Sequence, residues 1–342
     1  MNGWEHTRIE PDATMTAMPD SFRRYGITLG VGWVVLAVAA FVYADRKAIP
    51  LRLAAPLAAA FLVEFSFYLL PGFADLWSGL VERMGRLGTV GFLTASSVLP
   101  YLVYSIPTGL FQLRSLALLA AIALVVSLIY ARGRVNAARD VLFLTLPAAF
   151  ILFRFFDPIY PTPVPRLQIS ILGHVMLIRT AALALYGLRG GIGVRFWFLP
   201  GAAEWLAGLK WFALSIVPLA AMGWVTGAIR VREHALNPLT GVATFAGMLW
   251  VVALSEEFFF RGLIQHWLEE WTSSRAGALL TASLLFGSVH LGFHGAFPNW
   301  RFSLVAAVLG LFCGLAWRER RSIQASMVTH ALAATVFRVF FQ

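Results

Sequence analysis

Glu256, Glu257 and Arg261 are three ionisable side chains within six residues of an otherwise apolar stretch, Glu256-Glu257-Phe258-Phe259-Phe260-Arg261. A charge near the centre of a bilayer costs about 2.5–3.5 kcal/mol on insertion scales, so three together need a reason. Two later apolar stretches carry single histidines, His290 in Phe286-Gly287-Ser288-Val289-His290 and His330 in Thr329-His330-Ala331-Leu332. A carboxylate that takes a proton from water and returns it is a general base. Imidazoles beside it supply ligands for a metal, zinc foremost, or hydrogen-bond partners for an activated water and an oxyanion. The metal set would be Glu256, His290 and His330.

Helical spacing divides these roles. Residues four apart share a helix face, so Glu257 and Arg261 stack, acid before base. Arg261 can then neutralise Glu257 and make its burial tolerable. Glu256 projects about 100° away and is left without a cation on its own helix. For Glu257 and Arg261 alone, a structural ion pair explains the pattern equally well, but it leaves Glu256 unexplained. Each histidine taken singly reads as a packed, hydrogen-bonded residue; with Glu256 they read as a site. His294 follows His290 at a spacing used by paired zinc ligands, yet Gly292 and Phe297-Pro298-Asn299 set it at a loop edge. The one cysteine, Cys313, sits in an apolar run with no base evident nearby, so it reads as a packing residue and excludes a disulfide framework within the chain.

The elements that must position these groups are membrane helices. The chain has 342 residues, 59% of them hydrophobic and 13% charged, and a mean hydropathy of +0.75. Soluble domains carry about 25% charged residues. Apolar runs near the spanning length of about 20 residues recur throughout. The expected fold is an all-α polytopic bundle of about 11 spans. They cover roughly 26–44, 51–71, 88–106, 113–131, 140–157, 167–187, 208–228, 239–265, 276–293, 302–318 and 322–341. With the N-terminus cytoplasmic, this topology places 15 Arg and Lys residues inside and 9 outside, in the sense of the positive-inside rule. The net charge of +10 is therefore read as a topology signal. No basic patch interleaved with aromatics points to nucleic acid.

Three regions follow. Residues 1–25 form a polar cytoplasmic lead without the short basic start of a cleaved signal, so the first span is expected to be retained. Residues 26–200 hold six spans whose charges, Glu64, Arg154, His174 and Arg179, are scattered and suit pairing between helices. A proline-rich connector at Asp157-Pro158-Ile159-Tyr160-Pro161-Thr162-Pro163-Val164-Pro165 interrupts them. Residues 205–342 hold every motif with a chemical argument behind it, and no internal repeat is evident.

Those motifs resemble the CAAX protease and bacteriocin-processing (CPBP, or ABI) family of intramembrane endopeptidases. Glu256-Glu257-x-x-x-Arg261 looks like the family's Glu-Glu-x-x-x-Arg, Phe286-x-x-x-His290 like its Phe-x-x-x-His, and His330 like the histidine of its His-x-x-x-Asn. The order matches as well, over about residues 205–342. The resemblance implies that Glu256 and His290 activate water, that Glu257 and Arg261 support the site, and that His330 stabilises the oxyanion or completes the polar site. It implies a membrane-associated peptide or protein substrate and a multi-pass protein of a bacterial inner membrane. It leaves open whether zinc takes part. One departure stands out: Ala334 occupies the place of the family's asparagine, so either Asn299, Thr329 or Thr335 substitutes, or the oxyanion is held differently, or activity is reduced. A catalytically impaired member acting as a membrane chaperone or assembly factor, and a polytopic transporter, are the competing functions. The sequence carries no signal for oligomeric state.

Overall fold

A computed structural model describes residues 11–131, 135–164, 167–190, 193–232, 238–295 and 297–341, with the side chains of residues 11–19, 294 and 295 outside that description. The described residues are helices and their connections, with a single bridge pair, Val231 to Phe341, in place of any strand. Among the described residues ten helices are long and apolar enough to cross a membrane. The chain divides into two compact units, residues 1–191 and 192–342.

The first unit contains α1 (Pro11–Arg46), α2 (Leu51–Leu69), α3 (Ala74–Ser105), α4 (Leu113–Ala131), α5 (Ala137–Leu152) and α6 (Ile171–Ala184), which runs on as a π turn to Arg189. The scattered charges find partners. Arg179 Nε donates to Glu64 Oε1 at 2.6 Å, with Ser96 accepting from the same guanidinium, all of it buried. Arg154 pairs with Asp157 at an exposed position, and His174 Nδ1 lies 2.9 Å from the Ser170 carbonyl oxygen.

Two expected spans come out differently. In place of the span at 140–157, α5 is a 16-residue helix, about 24 Å long against a hydrocarbon core of about 30 Å. Its first turn carries Asp140, which accepts from Arg189 Nε and Nη2 and from the Tyr130 hydroxyl. That hydrogen-bonded knot fixes the helix start on polar contacts, so the apolar run after it is too short to count. The span at 88–106 starts earlier, at Ala74, because α3 continues through a kink at Gly85, whose φ is 66°.

The second unit contains α7 (Ala202–Thr226), α8 (Pro238–Gly247), α9 (Leu254–Glu257), α10 (His266–Thr272), α11 (Arg275–Ser288), α12 (Trp300–Arg320) and α13 (Ile323–Phe340). Side-chain caps start the last three: Ser274 accepts from Gly277 N, Asn299 from Phe302 N and Ser322 from Gln324 N. Close approach joins them. A methyl on Gly287 of α11 would meet the Ser303 carbonyl oxygen of α12 at 2.6 Å, and one on Gly208 of α7 would meet Val328 Cβ of α13 at 2.5 Å. Membrane helices, without a hydrophobic drive between them, associate through such small-residue contacts.

Candidate active site

The carboxylates sit where one long helical run changes pitch. From Pro238 to Thr272 the chain alternates between α and π winding, with π segments at Met248–Ala253 and Phe258–Gln265. Glu256 and Glu257 occupy the four-residue α turn between them. Wide turns of this kind recur at functional sites because they rotate the next side chains relative to a regular helix.

Glu257 and Arg261 are both wholly buried, with Nη1 donating to Oε1 at 3.3 Å and Nε in ionic contact with Oε2 at 3.2 Å. Arg261 Nη2 donates to the Gly310 carbonyl oxygen at 2.7 Å, tying the pair to α12. The guanidinium lies 4.8 Å from the ring centre of Phe286, a cation over an aromatic face. Glu256 stays 29% exposed at its side chain, although its Oε2 is buried and makes no hydrogen bond among the described residues. The neighbouring carboxylates thus differ in kind: one is neutralised inside the protein, the other is open on one side.

His330, in the middle of α13, joins them. Its Nδ1 lies 2.7 Å from Glu257 Oε1 and its Nε2 3.9 Å from Glu256 Oε2. The short contact to a carboxylate places a proton on Nδ1, because the oxygen only accepts. The longer gap is beyond a direct hydrogen bond and suits one bridging water. His290 is buried beside them. Its Nδ1 donates to the Phe286 carbonyl oxygen at 2.7 Å, which leaves Nε2 as the accepting nitrogen. Phe286 packs against both imidazoles, with ring centres 4.9 Å from His290 and 5.5 Å from His330. Phe293 and Phe302 close the far side of His290.

The sequence-predicted residues Glu256, Glu257, Arg261 and His330 therefore meet directly, and His290 packs on the same Phe286 ring as His330. Which imidazole faces Glu256 was beyond the sequence: the nearer contact is with His330. The side chain of His294 lies outside the described residues.

Of the three donors considered in place of the asparagine at position 334, two are engaged elsewhere. Asn299 caps α12 and donates to the Phe293 carbonyl oxygen. Thr329 donates to the carbonyl oxygens of Gly208 and Ala325. The Thr335 hydroxyl has no hydrogen-bond partner among the described residues, yet it sits five residues past His330, about 140° around the helix.

Cys313 has a more polar setting than its sequence neighbours imply. It is buried in α12 with its sulfur and the nearest donor atoms of Glu257 and His330 all within 4.8 Å of one another. Among the described residues these three are the one group of His, Cys, Asp or Glu whose donors converge this closely, and the set Glu256, His290 and His330 does not. A zinc ion does not fit this arrangement. Glu257 Oε1 and His330 Nδ1 already face each other at hydrogen-bond distance, and Arg261 supplies the positive charge a cation would bring.

The family model for type II CAAX prenyl endopeptidases, Rce1-like, matches residues 237–336, which contain all five site residues. That stretch is similar to the type II CAAX endopeptidase family its motifs resemble, and the match supports an intramembrane protease kind of function for a multi-pass membrane protein. No curated protein and no solved structure matches the chain.

Proposed function

We propose that this chain is an intramembrane endopeptidase that hydrolyses a peptide bond of a membrane-associated protein or peptide with a water activated by Glu256. The observation that carries the reading is His330, set between a neutralised carboxylate on one nitrogen and a free one on the other. A water between Glu256 and His330 loses a proton to Glu256 as its oxygen bonds to the scissile carbonyl carbon. His290 Nε2 accepts the second water hydrogen and orients the attack. As the imidazolium, protonated on both nitrogens beside Glu256 and Glu257, His330 donates from Nδ1 to Glu257 and from Nε2 to the oxyanion, a part that falls to it because position 334 offers no amide. Collapse breaks the C–N bond, and the proton on Glu256 passes to the departing amine. Glu257 and Arg261 are positioning residues that hold the imidazole ring and its tautomer.

Residues 205–342 are the protease core in this reading. Residues 26–200 are an accessory membrane region that shapes access for substrate, and residues 1–25 lead in from the cytoplasm. The proposed location is a bacterial inner membrane. The occupied side chains of Asn299 and Thr329 favour one second reading, a member with weakened turnover that retains substrate binding and serves in assembly. Purified protein reconstituted in lipid and given a mixed peptide library, with products read by mass spectrometry, tests the first reading. Cleavage by the wild type that disappears in Glu256→Gln supports it; cleavage that survives in Glu256→Gln overturns it.

A further inference from the structure

Four arginines converge at one end of the second unit, from three separate elements. Arg230 and Arg232 follow the end of α7, Arg301 opens α12, and Arg338 stands in the last turn of α13. The convergence is fixed by contacts. Arg232 donates from its backbone N to the Phe340 carbonyl oxygen at 2.9 Å and from Nε to the Phe341 carbonyl oxygen at 2.7 Å. Arg301 Nη1 lies 3.6 Å from where a methyl on Gly227 would sit. Arg230, Arg301 and Arg338 are exposed, and Arg232 is half-buried. Among the described residues none of the four is paired with a carboxylate, whereas at the opposite end Arg318 and Arg321 share Glu269 and Lys210 holds Glu319.

This basic end is joined to the site by an aromatic wall. Phe302 and Phe337, the chain neighbours of Arg301 and Arg338, touch at 5.4 Å between ring centres. Phe302 also faces His290 at 5.9 Å and stacks on the exposed Phe293 at 5.7 Å. Along α13, Arg338 is eight residues beyond His330, about 12 Å of helix. An extended peptide covers that distance in about four residues.

We propose that Arg301 and Arg338, with Arg230 and Arg232 beside them, dock side-chain carboxylates of the substrate about four residues from the bond that is cut. The inference rests on the endopeptidase reading and adds a charge requirement to it: an apolar segment against Phe293, Phe302 and Phe337, followed by aspartates or glutamates on the arginines. Arginine forks suit carboxylates, and their selectivity is set by the partner.

The test is binding, read by fluorescence anisotropy on full-length protein in neutral phosphatidylcholine nanodiscs. The probe is a labelled peptide with an apolar segment followed by a run of aspartates, compared with its asparagine counterpart. The aspartate peptide should bind at least about tenfold tighter, the value of one charge-assisted contact. The double variant Arg301→Gln with Arg338→Gln should lose that preference, and the corresponding lysine variant should keep most of it, which separates charge from folding. Glu256→Gln should keep the preference while losing any cleavage, so failure of catalysis and failure of docking are distinct results. Equal binding of both peptides to the wild type overturns the proposal. So does a preference erased when phosphatidylglycerol replaces phosphatidylcholine at constant salt, which assigns the arginines to lipid headgroups.

Discussion

Glu256 and Glu257 are chain neighbours with opposite fates, and their mutants should separate accordingly. Glu256→Gln keeps shape, leaves Glu257–Arg261 intact and removes the base, so turnover should vanish while thermal unfolding stays close to wild type. His290→Ala should lose turnover to the same degree, because groups acting on one water do not contribute additively; peptide cleavage rates for the singles and the double check this. Arg261→Ala leaves a buried carboxylate without its cation, a loss of about 3–5 kcal/mol for a broken buried pair. Its abundance in membranes should fall well below that of Glu256→Gln, and equal abundance would show that the pair is not structural. The pairing of Glu257 with Arg261 was legible from spacing alone, since four residues make one helical turn. The contact between His330 and Glu256 was not, because it depends on how α13 is rotated against the run that carries the carboxylates.

Helices set that rotation through backbone contacts at small residues. Gly287→Ala would place a methyl 2.6 Å from the Ser303 carbonyl oxygen, and Ser303 Oγ already donates to the Gly287 carbonyl oxygen at 2.8 Å. Overpacking of this kind costs about 1–3 kcal/mol, so a lower melting temperature in detergent is expected, with reduced cleavage because His290 lies three residues on. An unchanged melting temperature would mean that α11 and α12 part easily there. The apolar runs of α7, α11, α12 and α13 were readable from hydropathy, since length and composition suffice to mark a span. The π turns around Glu256 and Glu257 were not, because winding responds to tertiary packing and leaves no mark in a run of Phe and Leu. Nor was the polar neighbourhood of Cys313, whose chain neighbours Phe312 and Gly314 are apolar while its spatial neighbours come from α9 and α13.

At the scale of the whole chain, crossing number decides which side each end faces. Ten crossings return the chain to its starting side, whereas an eleventh through α5 would leave the termini opposed. The shortness of α5 and its Asp140–Arg189 pair argue that it does not cross. Reporters fused to the two ends should then report the same compartment, and opposite signals would restore the eleventh span. With ten crossings, Arg230, Arg232, Arg301 and Arg338 lie on the side of the N-terminus, the reverse of what eleven spans imply. A charge count alone does not distinguish the two, because one short helix inverts every assignment after it.

The thiol of Cys313 has a practical consequence. It is the chain's single sulfhydryl and it is buried against Glu257 and His330. The unaltered protein therefore carries its own clock for openings of the core around these residues. A maleimide reaches the sulfur only when α12 parts from its neighbours, so the alkylation rate, divided by that of a free thiol, measures the fraction of time the core stands open. Ligands that tighten the core should slow the clock, and Arg261→Ala should speed it without any assay of turnover.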